Sequence, residues 1–126
     1  MPGGGDPENR RDFPGGWPSD KRDAFSAAGR STDEQEVWTH VHKLLQLRRG
    51  HADLRTGAML HLYATDQQFV YKRGNTVIAL NNDTLAATVH LPAMKLGADA
   101  LGVCSTPAVD SGGVSLVIPA RSGCVF

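Results

Sequence analysis

Hydrophobic and polar positions change their period once along this chain, and the change divides it. Residues 33–49 carry Val37, Val41, Leu44 and Leu45 at i, i+4, i+7 and i+8, which is one apolar stripe of a helix, widened by Trp38. The ends of that helix are marked locally. Ser31 and Glu34 make a capping box, and Asp33, Glu34 and Glu36 place negative charge at the positive end of the helix dipole. Lys43, Arg48 and Arg49 suit the other end, and Gly50 supplies a stop.

From residue 58 the period becomes two, as in strands with one buried face. Leu60, Leu62 and Ala64 alternate inward, and Phe69-Val70-Tyr71 starts a second run. Arg73-Gly74-Asn75-Thr76 reads as a two-residue hairpin turn, and Val77–Leu80 as the returning strand, before a turn at Asn81-Asn82-Asp83. Thr88–Leu91 stops at Pro92. Further strands are predicted at Leu101–Cys104, Val114–Ile118 and Cys124–Phe126, with Ser111-Gly112-Gly113 as a hairpin loop. Only eight charged residues follow position 57, so these short strands predict a mostly β fold, an antiparallel β-sandwich of Greek-key type preceded by a long loop and one α-helix.

Residues 1–30 predict no regular element. Six glycines and four prolines are scattered through them with five acidic and five basic side chains. Phe13, Trp17 and Phe25 set the segment apart from a disordered tract, which is poor in aromatics.

Composition narrows the function classes. The 126 residues hold 13 basic and 13 acidic side chains, and this zero balance argues against nucleic acid as a partner. No apolar run reaches the ~20 residues of a membrane span, so no membrane partner is expected. The first sixteen residues hold no hydrophobic signal core; an export signal is not expected in the chain as written, and the compartment stays open.

Several chemistries lack their residues. His40 and His42 are two apart on a helix and cannot share an ion, and His51, His61 and His90 have no partner at ligand spacing, so no metal and no cofactor are expected. There is no Gly-x-Ser-x-Gly elbow for a nucleophilic serine. Gly3-Gly4-Gly5 lacks the flanking strand, helix and Lys-Ser/Thr of a phosphate loop. Cys104 and Cys124 fall in strands that a sandwich can bring together. A disulfide needs α-carbons roughly 4.4–6.8 Å apart, which spacing alone does not establish, and buried free thiols are the expectation.

The stretch from Gly3 to Trp17 packs carboxylates and guanidiniums between glycines and aromatics, the inventory of a sugar-binding surface. Asp6 can accept hydrogen bonds from hydroxyls, Arg10 can donate in a fixed fork, and Trp17 can stack on a pyranose face. A solvated charged loop has the same composition.

Beyond composition, Gly4-Gly5-Asp6-Pro7-x-x-Arg10-Arg11-x-Phe13-Pro14-Gly15-Gly16 resembles the loop after the eighth barrel strand of the α-amylase family, glycoside hydrolase family 13, in the form found in members acting on maltodextrins and cyclodextrins. Asp23-Ala24-Phe25 and Gly29-Arg30 resemble the approach to the last barrel helix, and Val41–Arg48 that helix. His51–Gly57 resembles the exit into the C-terminal β-sandwich, where Val77–Asn82 is similar to a hydrophobic strand ending in Asn. The resemblance implies two parts: residues 1–57 as the end of a (β/α)8 barrel and 58–126 as the sandwich domain. It puts Asp6 and Arg10 on the family's Asp-x-x-x-Arg pair, which holds a sugar near the scissile bond.

The same resemblance implies that the nucleophile, the acid/base glutamate and the supporting aspartate belong to barrel strands that these residues do not match. It also implies that the helix stripe would face barrel strands. Here that stripe must fold onto the chain's own sandwich or meet a second copy, and homo-oligomerisation is expected. The first expectation is therefore a non-catalytic α-amylase-family part that retains binding of an α-glucan or other oligosaccharide. The second is a small glycoside hydrolase with a newly assembled site at Asp6, Glu8 or Asp12, within a carboxylate group that also includes Asp20 and Asp23. The third is an inert structural fragment.

Overall fold

The computed structural model describes residues 5–6 and 12–126. Two compact units divide the chain, Met1–Leu45 and Gln46–Phe126. After a short 3-10 turn at Ala27–Gly29, helix α1 runs Thr32–Gly50 and α2 Ala52–Thr56. Seven strands follow: β1 Met59–Ala64, β2 Gln68–Arg73, β3 Thr76–Asn81, β4 Ala87–Leu91, β5 Ala108–Asp110, β6 Gly113–Ile118 and β7 Ser122–Val125.

Helix α1 begins as its sequence dictates. The Ser31 N–H donates to Glu34 Oε2 at 2.8 Å, and the Glu34 N–H to Ser31 Oγ at 3.3 Å, so each residue of the box satisfies a donor of the other. Within the second unit Leu47, outside the stripe read from the sequence, packs with Leu54 of α2 against Ile78 and Val125.

The strands form two antiparallel sheets, ordered β1-β2-β3-β7 and β4-β6-β5. The sandwich expected from the period-two runs is thus the fold, with the helix before it. Alternation places Val70, Val77, Ala79, Val89, Leu91, Val114, Leu116, Ile118 and Cys124 in one buried core. Burying each large aliphatic side chain contributes about 1.5–3 kcal/mol, which is what opposes the entropy of ordering the strands.

The hairpin β2–β3 turns where expected, with Arg73 opposite Thr76 and Gly74 at φ 55°. Asp53 of α2 sits under that turn, its Oδ2 accepting the Asn75 N–H at 2.8 Å. Asp110 Oδ1 accepts the N–H groups of Gly112 (2.7 Å) and Gly113 (3.0 Å) and so caps the predicted Ser111–Gly113 turn.

Three expectations change. Alternation predicts a buried Leu60, but it is 53 % exposed: its partner Lys72 pairs with core Val77, yet β1 is the edge strand of its sheet, and past Leu60 a bulge between His61 and Tyr63 sets Tyr63 opposite Val70. Leu101–Cys104 is a loop and not a strand. Asp99 takes its amides instead: Oδ1 accepts Leu101 N–H (3.0 Å), and Oδ2 accepts those of Val103 (2.6 Å) and Cys104 (2.9 Å). Cys104 and Cys124 are joined in a disulfide, their α-carbons 5.9 Å apart, in place of the expected free thiols. The Asp99 loop carries Cys104 to the end of β7, a juxtaposition that the spacing of 20 residues does not encode.

Candidate functional site

Three exposed aromatic side chains of the first unit, Phe13, Trp17 and Phe25, sit on a segment, residues 12–31, that is held by its backbone and by arginines. Glycine and proline exclude regular structure here, so the polar backbone groups need other partners. The Ala24 N–H donates to the Pro14 carbonyl at 2.9 Å, and Ala24 is buried. Asp20 closes the turn around Trp17: its Oδ2 accepts the Trp17 N–H and its own N–H meets the Trp17 carbonyl, both at 3.1 Å. Asp23 Oδ1 accepts the Phe25 N–H at 3.0 Å, and its carbonyl accepts the Ser26 hydroxyl at 2.9 Å.

Gly15 has φ 116°, where a side chain is strained, and a methyl there would come 2.5 Å from Asp23 Oδ1. A methyl on Gly29 would collide with the Asp23 carbonyl. Those two positions bring both ends of the segment onto Asp23.

Two arginines then fasten the segment to α1. Arg30 donates through Nε to the Ala24 carbonyl (2.8 Å), through Nη2 to that of Phe25 (2.7 Å), and through Nη1 to Gln35 Oε1 (3.1 Å). Its guanidinium lies 4.4 Å from the Trp38 ring centre, and the His42 ring stacks on the same Trp38 at 4.7 Å. Arg22 grips Glu34 with both nitrogens, Nη1 to Oε2 at 2.6 Å and Nη2 to Oε1 at 2.8 Å, and also donates to the Gly29 carbonyl. These hydrogen bonds, joined by that from the Ser31 N–H, hold the Glu34 carboxyl down at about 2, and the same pairing raises Arg22.

The outcome is a fastened backbone presenting open rings. Trp17 is 76 % exposed, Phe25 64 % and Phe13 56 %, and the two phenylalanines pair with ring centres 4.8 Å apart. Asp6 and Asp12 are exposed on the same unit. Arg10 and Glu8 lie outside the described residues. Of the remaining carboxylates that the sequence offers as possible acids, Asp20 and Asp23 are engaged in shaping the loop. The roles of Arg22, Arg30 and the Phe13–Phe25 pair do not follow from the sequence reading, although Gly29-Arg30 and Phe25 belong to the stretch that carries the family resemblance.

Elsewhere, His90 Nδ1 and Ser115 Oγ are 2.8 Å apart across β4 and β6, in a cleft of about 240 Å³ that Asp110 also lines. Among the described residues, the grouping that could offer three metal ligands is Asp99, Cys104 and Cys124. Its sulfurs are spent on each other, and its carboxylate accepts backbone amides. No helix of the described residues is long and apolar enough to cross a membrane.

No family model matches the chain. Among solved structures, it is similar to the debranching enzyme of Nostoc punctiforme, with a TM-score of 0.65 and 26 % identity over 79 % of this chain and 24 % of that one. The acarbose-soaked form of the same enzyme aligns with a TM-score of 0.57 and 27 % identity over 72 % of this chain and 20 % of that one. Its native form aligns with a TM-score of 0.56 and 27 % identity over 79 % and 24 %. The chain therefore spans about a quarter of the length of the debranching-enzyme chains it matches. This similarity fits a chain related to glycoside hydrolases.

Proposed function

We propose that this chain corresponds to the C-terminal part of an α-amylase-family enzyme and acts as a non-catalytic, α-glucan-binding part of it. The observation that carries the reading is Trp17, whose ring is open to solvent while Asp20 and the Pro14–Ala24 hydrogen bond hold its backbone. A backbone held this way spares the cost of ordering the loop when a pyranose stacks on the ring, which favours affinity from a small contact. Asp6 and Arg10 supply the polar half, as carboxylate acceptor and guanidinium donor. The likeness to a debranching enzyme supports an α-glucan over other sugars.

The family's catalytic carboxylates have no counterpart among these residues, so binding without hydrolysis is the activity expected of the chain. The helix stripe of Val37, Val41, Leu44 and Leu45 is exposed, and a second copy of the chain is proposed to cover it.

The test is titration of the purified chain with maltooligosaccharides, alongside a hydrolysis assay on the same sugars. Saturable binding that Trp17→Ala abolishes, without turnover above a buffer control, is the expected result. Turnover that falls on Asp6→Asn, Glu8→Gln or Asp12→Asn substitution would replace this reading with a newly assembled hydrolase site. Absence of both would leave an inert fragment.

A further inference from the structure

We infer that Ser115 and His90 form an acyl-accepting pair on the outer face of the β4-β6-β5 sheet: Ser115 takes a short acyl group from a neutral, activated ester, with His90 as its base. The pair lies in the second unit, and nothing in it depends on the sugar-binding reading of the first.

Strand register brings the two side chains together. His90 of β4 stands directly opposite Ser115 of β6, and Ala108 of β5 stands opposite Ser115 on its other side. Alternation turns Val89, Leu91, Val114 and Leu116 into the core, so His90 and Ser115 face outward. Nδ1 of His90 and Oγ of Ser115 are 2.8 Å apart, within the reach that a nucleophile and its base require. With the ring proton on Nε2, Nδ1 accepts the serine hydroxyl. Strands β4 and β6 are already paired along the whole of β4, and the bond is exposed to competing water, so it adds little to holding the sheet.

The surroundings set the substrate class. Ser115 and His90 line a cleft of about 240 Å³ together with Asp110, Gly112 and Gly113. Two of these residues have no side chain and the neighbour on β5 is only an alanine, which leaves the serine open to approach. The volume is below the ~300–1,000 Å³ of pockets for drug-sized ligands, which favours a short acyl group. The Asp110 carboxylate in the same cleft disfavours anionic esters. Its Oδ1 accepts the Gly112 and Gly113 N–H groups at 2.7 and 3.0 Å. Those amides are therefore not free for an oxyanion, a contribution worth about 10²–10³ in rate where it is made. Without it the pair needs a good leaving group, as in an aryl ester or a thioester, and does not cleave amides.

In the step, Ser115 Oγ attacks the ester carbonyl carbon as its proton passes to His90 Nδ1. The bond from that carbon to the leaving oxygen or sulfur breaks, and the leaving group recovers the proton from His90. The products are O-acyl Ser115 and a free phenol or thiol, with no change of oxidation state.

The test incubates the full chain with p-nitrophenyl acetate, follows nitrophenol release and locates the acetyl group by peptide mass mapping. Ser115 should be acetylated about a hundredfold faster than exposed Ser111 of the same hairpin, since general base catalysis contributes about 10²–10⁴. His90→Gln should remove that advantage, and Ser115→Ala the fast phase of nitrophenol release, with near-ultraviolet circular dichroism to check folding. Ser115 acetylated no faster than Ser111 in the wild type would overturn the proposal without recourse to any variant. Equal acetylation of Ser115 in a folded His90→Gln chain would overturn it too, because the histidine would then be a neighbour and not a base.

Discussion

The side-chain amide of Asn81 donates to the carbonyl of Ile118, 3.2 Å away and 37 residues on, and so joins the last residue of β3 in one sheet to the last residue of β6 in the other. The same nitrogen lies 2.8 Å from the Leu85 carbonyl and 3.0 Å from that of Pro119, while Oδ1 accepts from Gln68 Nε2 and the Asp83 N–H. Asn81 is 3 % exposed and its bond to the Ile118 carbonyl is buried, so both groups would otherwise lose water without compensation. The hydrophobic run of β3 ends in a polar residue because the edge of the sandwich needs a rivet there.

Replacing Asn81 by Ala should therefore lower stability by about 1–3 kcal/mol, since it strands the buried Ile118 carbonyl as well as removing bonds. Chemical denaturation of the purified chain measures it. A loss below about 0.5 kcal/mol, the range of ordinary surface substitutions, would show that the rivet is dispensable.

The loop between β4 and β5 is held twice, by the Cys104–Cys124 disulfide and by Asp99, whose Oδ1 also accepts the Val125 N–H at 2.8 Å. Burial pushes the Asp99 carboxyl up, but the four backbone N–H bonds together leave it below its ordinary value. Cross-linking residues about 20 apart contributes about 3 kcal/mol by its effect on the unfolded chain. Cys104→Ser should cost about that much, and Asp99→Asn should add a further loss. Because both act on one loop, the double variant should depart from additivity, read by a double-mutant cycle in denaturant. Strict additivity would mean that the two clamps act independently.

Glu34 predicts a pH dependence of the first unit. Its carboxyl is held at about 2 against an ordinary 4.5, so the Arg22 latch contributes fully above pH 4.5 and is lost as pH falls through about 2. Between those values the unfolded state binds more protons, and stability rises with pH. Amide exchange of residues 17–31 should accelerate over that window in the wild type. Glu34→Gln should give fast exchange at neutral pH and a flatter profile. An unchanged profile in the variant would show that the latch does not hold the segment.

Self-association through α1 is read by sedimentation. Val41 and Leu45 sit one turn apart on the exposed stripe, and Val41→Lys with Leu45→Lys should convert a concentration-dependent dimer to monomer while leaving the helix intact. A wild-type chain that sediments as a monomer at all concentrations would remove the second copy as the covering surface.

What is legible in the sequence is local. The Ser31–Glu34 box, the charges at both ends of α1 and the Gly74-Asn75 turn act over two to four residues, so their spacing alone identifies them. Period-two runs locate β1, β2, β3, β4, β6 and β7, because one face of each strand has to be apolar. The bulge in β1 is not legible, since one extra residue changes facing without changing composition. Strand β5 escapes the pattern for a similar reason: three residues carry too little of it.

The segment proposed to face sugar shows the same division. Its residue types, Asp6, Arg10 and Trp17 among glycines, suit a sugar surface and equally a solvated charged loop, and the carbohydrate reading rests on the family resemblance. Which of its charged groups are instead structural is not written in the residue order. Arg22 and Glu34 are 12 residues apart with a chain reversal between them, and Asp20 and Asp23 look identical in the sequence to carboxylates free for chemistry.

By itself, then, the order of residues determined the helix, the sandwich class and the breaker-rich segment before them, because each follows from hydrogen bonding and burial among near neighbours. The partners of Asn81, Asp99, Arg22 and Cys104 come from the folded arrangement instead. Those pairings depend on which distant segments the packing of two sheets and the folding of one loop bring within a few ångströms, and no short-range spacing carries that distance.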